Sequence, residues 1–248
     1  MTPSHEPELL CERRGRVLWL RLNRPRAANA LNEALHGALC KALRAADAEP
    51  EVVAVVLCAA GGRVFSAGAD LKEFAELDAT TSRRRRRVLL RDTLLALCDF
   101  GKPFIAAIEG KAIGAGAMLA LLSDEVILGP QASLSMPEIG LGSASPLAVS
   151  LVMARAGRPA AIRMVQAGEV MDAPRAIALG LADRLAEPLA LEAEAAHAAE
   201  RLGGASMRAY RQNRRWMYQS LRTEIMSAAG EFSDWIDQDN EGGVSDGA

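Results

Sequence analysis

The sequence predicts an α/β fold, in which strands alternate with helices from Val17 to Ser135 and helices alone follow. Two observations support this prediction. Short apolar runs bounded by Gly, Pro or polar residues are typical of buried strands, and they occur at residues 17–22, 52–57, 104–108 and 125–128. From Leu189 onward the apolar residues recur with a helical period. We therefore expect a parallel core sheet with a helical appendage.

Composition excludes several classes of function. The chain has 248 residues, half of them hydrophobic, which is enough for one core. The formal net charge is −2, so no basic field favours nucleic acid as a partner. No apolar run is long enough for a membrane span, and no basic-then-apolar signal opens the chain. The four cysteines are scattered, which favours free thiols. We expect a cytoplasmic protein with no membrane partner.

The first helix and its neighbours follow from local signals. Asn29 is the expected N-cap of a helix whose leucines recur at every fourth position from Leu31.

A later helix, predicted over residues 80–97, contains five consecutive arginines at 83–87. Five successive helical residues point all round the axis, so they cannot form one patch. Most should be solvated or paired with acidic residues, with one or two left to meet a ligand phosphate.

Two glycine-rich corners stand out. The strand at 104–108 leads through Gly110 and Gly114 into a segment that can enter a helix. The strand at 52–57 leads through Gly61 and Gly62 to residues 65–70 and then to 71–74, which we expect to be helical. Backbone N–H groups at a helix start lack intrahelical acceptors and suit an anion. Each corner is therefore either a donor site for an oxyanion or only a tight turn.

The later segments are short. Residues 131–135 are expected to form an edge strand that Pro137 ends, which leaves Glu138 in a loop. Ser145 and Pro146 predict a helix start, with Ser as N-cap and Pro at the first helical position. The helical His36 and His197 are expected to be solvated or at an interface. No His/Cys/Asp cluster has metal-ligand spacing.

Several segments together resemble the crotonase superfamily, the enoyl-CoA hydratase/isomerase group. They are residues 23–31, 65–72, 102–110, 114–116, 124 and 137–142. The resemblance implies a core of spiralling ββα turns over residues 1–190. It also implies a helical C-terminal trimerisation region over 191–248 with a disordered acidic tail. Homotrimers or hexamers are the expected assembly.

The shared chemistry of that superfamily is stabilisation of a thioester enolate by two backbone N–H groups. Carried over, the donors are those of Ala69 and Ala115, and two aimed donors at one oxyanion are worth several kcal/mol. Ala115 stands where relatives often have Gly, which is tolerable if its φ stays negative. No separate cofactor is implied: coenzyme A or carrier-protein phosphopantetheine forms part of the substrate. The implied substrate contacts are Arg26, Ala28, Ala67, Asp70, Leu71, Lys72, Gly114, Met118 and Pro146.

Departures from the family pattern bear on the reaction. Hydratases of the family hold one water between two glutamates; the second matches Glu138, whereas the first is Met118 here. Pro146 falls where a glycine N–H supports that water, and proline has no N–H. Both changes favour double-bond isomerisation, with Glu138 as the only general acid/base. Apolar neighbours such as Met118 and Met136 should raise its pKa.

Three alternatives stay open. One is a crotonase that forms C–C bonds, decarboxylates or dehydrates in a polyketide-like pathway, acting on an acyl-carrier-protein thioester. Another is a hydratase in which Glu109 or Asp124 replaces the missing acid. The third is a non-catalytic binding module.

Overall fold

A six-stranded sheet forms the centre of the protein. The computed structural model describes residues 6–229, so the predicted acidic tail lies outside the described residues. The strand order is β1-β2-β3-β5-β7-β10, and all neighbours are parallel except β1 and β2. The strands are β1 Leu9–Arg14, β2 Val17–Leu22, β3 Ala54–Ala59, β5 Phe104–Ile108, β7 Glu125–Leu128 and β10 Arg184–Leu185.

A smaller sheet of four short strands carries the segments nearest the glycine corners. Its order is β4-β6-β8-β9, with the last pair antiparallel. These strands are β4 Val64–Ser66, β6 Lys111–Ile113, β8 Ser133–Ser135 and β9 Met171–Asp172. The strand predicted at residues 131–135 is present as β8, but the prediction that it lies at a sheet edge is wrong. It pairs with β6 on one side and β9 on the other.

Helices cover both faces of the large sheet. They are α1 Glu33–Ala48, α2 Ala79–Asp99, α3 Ala115–Leu121, α4 Pro146–Ala161, α5 Ala173–Ala178, α6 Leu191–Gly203 and α7 Met207–Ala229. Alternate strand residues face opposite layers: Trp19 packs in the cluster that includes the alanines of α6, and Leu20 in the cluster with α1 to α4. The α/β fold class is confirmed, and the chain is mainly helical from α6 to α7. The expectation that helices alone follow Ser135 is wrong, because β9 and β10 each add a short strand to one of the two sheets.

Local expectations fail where distant partners compete. Asn32, not Asn29, caps α1, accepting a hydrogen bond from Leu35 N at 2.9 Å. Asn29 instead has φ 51° and donates to the carbonyls of Ala60 and Val64. Residues 71–74, expected to be helical, form turns. No described helix is long and apolar enough to cross a membrane.

Two buried polar groups tie helices to the core. His36 is 3% exposed and shares a 2.7 Å hydrogen bond with Thr93 Oγ1, so the expected solvated or interface position was wrong. Arg214 of α7 is 1% exposed, and its Nε donates to both carboxylate oxygens of Asp124. Asp124 also accepts from the backbone N–H of Phe104, so α7 is fastened to the start of β5.

Candidate active site

The two glycine corners meet. Gly68 has φ +88°, and a Cβ there would lie 2.8 Å from Ile113 O and 3.3 Å from Ala115 N. At the next contact, a Cβ on Gly116 would lie 2.6 Å from the Cβ of Ser66. Only glycine allows α3 to approach β4 this closely. The corners predicted separately from sequence therefore form one unit.

The Ala69 amide faces away from the neighbouring chain segment. Leu31 and Ala69 form a parallel bridge in which Leu31 N donates to Gly68 O and Asp70 N donates to Leu31 O. Because hydrogen-bonding directions alternate along an extended chain, the N–H of Ala69 points to the opposite side. The Ala69 N–H therefore takes no part in the bridge to Leu31.

Ala115 opens α3, so its N–H has no acceptor within that helix. Its φ is not positive, which meets the condition for an alanine at this position. The preceding Gly114 has φ 50° and donates its own N–H to Ser135 O at 2.9 Å. This bond fixes the segment that leads into Pro137 and Glu138 beside the helix start.

A cavity of about 340 Å³ opens at this junction. Its walls come from both corners, from one face of α2, from the segment between Pro137 and Leu147, and from α7 at Ala228. The walls are mainly apolar, which suits an acyl chain. Predicted site residues in the lining are Ala67, Ala69, Leu71, Gly114, Ala115, Met118, Glu138 and Pro146.

Glu138 lies in a short 3-10 helix, Pro137–Leu141, at the edge of this cavity. Its Oε1 is 2.9 Å from the point where a Cβ on Gly114 would stand. Its Oε2 is buried and has no hydrogen-bond partner among the described residues. Burial raises the pKa of Glu138, as expected from its apolar neighbours. An unpaired carboxyl with a raised pKa is suited to taking and returning a proton.

Met118 is 2% exposed and Pro146 begins α4, and both line the same cavity. Glu138 is the one carboxylate among the described lining residues. Neither alternative acid joins it. Asp124 is held by Arg214, and Glu109 packs against Gly129, where a Cβ would fall 1.7 Å from its Oε2.

Four predicted substrate contacts are absent from the described cavity lining: Arg26, Ala28, Asp70 and Lys72. Arg26 and Lys72 are exposed. Asp70 forms an ion pair with Arg24, in which Oδ2 and Nη1 are 2.9 Å apart. Partial burial opposes ionisation of Asp70, but hydrogen bonds from Arg24 and from the Lys72 N–H hold its pKa below the usual range.

The α2 lining was missed as a group. Its members recur at helical spacing on one face, at positions Arg83, Arg86, Arg87 and Leu90. The sequence contained that spacing, although nothing local showed which face of α2 turns inward.

Two larger clefts, of about 810 and 730 Å³, flank α7 without including Glu138 or the two corner amides. No group of three or more His, Cys, Asp or Glu within residues 6–229 has metal-binding geometry.

Comparison with known proteins agrees with this arrangement. The family model described as enoyl-CoA hydratase/isomerase matches residues 12–238. A probable enoyl-CoA hydratase of Rhizobium meliloti is 39% identical over 203 residues, 80% of this chain and 76% of its own. The 2,3-dehydroadipyl-CoA hydratase of Escherichia coli is 42% identical over 175 residues, covering 70% and 67% of the two chains.

A solved structure shows the same fold. The enoyl-CoA hydratase of Mycobacterium smegmatis superposes with a TM-score of 0.81 at 31% identity, covering 94% of this chain and 91% of that one. The superfamily predicted from the sequence motifs is therefore confirmed, and the chain is an acyl-CoA enzyme of the hydratase/isomerase type. It belongs to the enoyl-CoA hydratase/isomerase family, within the crotonase superfamily.

Proposed function

We propose that this enzyme moves the double bond of an enoyl thioester by way of an enolate. The Glu138 carboxylate takes a proton from C2 of a 3-enoyl thioester. The electron pair moves onto the carbonyl oxygen, between the N–H groups of Ala69 and Ala115. The protonated Glu138 then returns the same proton at C4, and the double bond ends between C2 and C3. Protons and electrons balance without a further reactant.

The observation that carries this proposal is the pairing of one carboxylate with one thioether. Glu138 faces a cavity whose other described residues include no second acid, and Met118 occupies part of its wall. A thioether neither takes nor gives a proton. Syn-addition of water needs two groups to hold and activate that water, whereas a 1,3-proton shift needs only one base.

Hydration is the second candidate, and the relatives favour it. The curated relatives cited above are named as enoyl-CoA or 2,3-dehydroadipyl-CoA hydratases. In that case Glu138 would deliver the proton while another group, such as Ser143 or Ser145 at the cavity wall, helped to hold the water. The two reactions change the absorbance of a conjugated enoyl thioester in opposite directions.

The test measures both reactions on one chain length. We expect 3-enoyl-CoA to gain conjugated absorbance and 2-enoyl-CoA to lose it at least tenfold more slowly. Glu138→Gln should lower isomerisation by a factor on the order of 1,000, because an amide cannot carry the proton. Glu109→Gln, outside the cavity lining, is the matched control. If the unaltered protein hydrates faster than it isomerises, isomerisation is contradicted and hydration becomes the proposed reaction.

We further propose that the acyl group is carried by coenzyme A or by a carrier-protein phosphopantetheine. We also propose that the enzyme works in the cytoplasm as a trimer or hexamer. Exposed apolar side chains on α7, namely Trp216 at 78% and Met217 at 66%, support assembly through this helix. Light scattering after gel filtration tests the assembly: a monomeric mass would contradict it.

A further inference from the structure

One face of α2 brings cations into the acyl cavity. Arg83 and Arg86 line it together with Leu90, one helical turn further along. The neighbouring Arg85 points elsewhere, with its guanidinium 5.1 Å from the centre of the Phe74 ring. The arginine run is therefore divided between the cavity and the outer surface.

Arg83 and Arg86 have only neutral partners among the described residues. Arg83 Nη2 donates to Thr80 Oγ1 at 3.3 Å, and Arg86 Nη1 donates to Ser82 Oγ at 2.5 Å. None of the ion pairs formed between described residues includes Arg83 or Arg86. The Nε of Arg83 is buried and donates to no acceptor within residues 6–229.

The positions of these two guanidinium groups are energetically unfavourable in the absence of an anion. Both side chains are half-buried, and a desolvated charge without a counter-ion is unfavourable. Burial, and then the charge of Arg83, lower the pKa of Arg86. Like charges held together at a cavity wall are typical of a site that binds an anion.

The cations and the acid/base belong to different elements: Arg83 and Arg86 lie on α2, and Glu138 lies in the 3-10 helix Pro137–Leu141. Both elements line the same cavity. Burial raises the pKa of Glu138, and a hydrogen bond from its own backbone opposes that rise. The same lining also includes the apolar side chains of Leu71, Met118, Leu141 and Leu147. The cavity therefore offers an acid/base, apolar walls and two cations.

We propose that Arg83 and Arg86 bind a carboxylate at the far end of the acyl chain, so that the preferred substrate is the thioester of a dicarboxylic acid. This inference rests on the proposed function, because it places the thioester carbonyl at the corner amides. The same chemistry would also suit a phosphate of the carrier. We favour the acyl carboxylate because the two arginines share the cavity with Glu138, while the exposed Arg26 and Lys72 lie outside its described lining.

Equilibrium binding tests the inference without turnover. We would measure, by calorimetry, the Kd of a saturated six-carbon acyl-CoA, of its ω-carboxylate counterpart, and of the methyl ester of that counterpart. The unaltered protein should bind the ω-carboxylate about tenfold or more tightly than the other two. Arg83→Gln/Arg86→Gln should abolish that ratio. Arg91→Gln, on the same helix and paired with Asp92 at 2.7 Å, should keep it.

The outcomes are separable. Equal Kd values for the three ligands in the unaltered protein would overturn the inference. An equal loss of affinity for all three in the double variant would assign the arginines to the carrier phosphates and also overturn it. Tight ω-carboxylate binding without isomerisation or hydration of the corresponding enoyl thioesters would support the carboxylate subsite and remove only the proposed function.

Discussion

Oε1 of Glu138 lies 2.9 Å from the position that a Cβ would take on Gly114, so the acid/base rests against the backbone that opens α3. Gly114 also has φ 50°, a conformation that L side chains rarely adopt. One residue thus sets both the direction of the Ala115 amide and the position of the Glu138 carboxyl.

Gly114→Ala should therefore impair the chemical step. The new methyl would displace Glu138, and a misplacement of about 1 Å can lower kcat by about 100-fold. Substrate KM should change far less, because the apolar cavity walls remain. Steady-state kinetics measure both. The control is Gly37→Ala on α1, where a Cβ would have nothing within 4 Å and φ is not positive. Equal kcat values in the two variants would contradict this role.

Met118→Glu should shift the reaction toward hydration. A second carboxylate in the cavity restores a pair of groups that can hold one water, and its charge should raise the pKa of Glu138 further. The ratio of hydration to isomerisation should rise by about tenfold or more. Met118→Gln is the matched control, since it has the same length but no acid. The same ratio in both variants would show that the missing carboxylate does not decide the reaction.

The site was more predictable than its surroundings. Gly68, Gly114 and Gly116 are constrained by close backbone approach, and the strand–glycine pattern located both corners. The position of Glu138 relative to the corners was implied only by the family resemblance. The roles of Asn29 and His36 were not predictable locally. Their partners, Val64 and Thr93, are 35 and 57 residues distant in sequence.

The arginine run shows a second limit. Helical spacing separates Arg83 and Arg86 from Arg85, but it does not show which face turns inward. That choice depends on Leu94 and Leu97, which bury α2 against the core. Sequence periodicity predicts that a helix has an inner face, whereas tertiary packing decides what that face meets.

His36 should make stability depend on pH. Burial lowers its pKa from 6.5 to about 4, and the charge of Asp92 acts in the opposite direction. The folded protein therefore holds the neutral ring, and its stabilising contribution is complete above pH 6.5 and lost as pH falls toward 4. The loss between pH 7 and pH 4 should be about 3 kcal/mol.

Urea unfolding at several pH values measures this slope. His36→Gln should flatten it, because the amide does not titrate, while His197→Gln should leave it unchanged since His197 is exposed on α6. An unaltered slope in His36→Gln would mean that other groups cause the acid sensitivity.

Arg214→Met should destabilise the fold far more than loss of a surface pair. Arg214 donates to the Leu97 and Phe100 carbonyls as well as to Asp124, so the variant leaves a nearly buried carboxylate without its cation. Removing one partner of such a pair costs about 3–5 kcal/mol. The control is Arg222, which lies on α7 like Arg214 and forms an exposed 2.8 Å ion pair with Asp99 of α2. Arg222→Ala should lower the free energy of unfolding by less than about 1 kcal/mol. Urea unfolding compares the two variants. If they lose equal stability, the Arg214–Asp124 pair does not fasten α7 to the core.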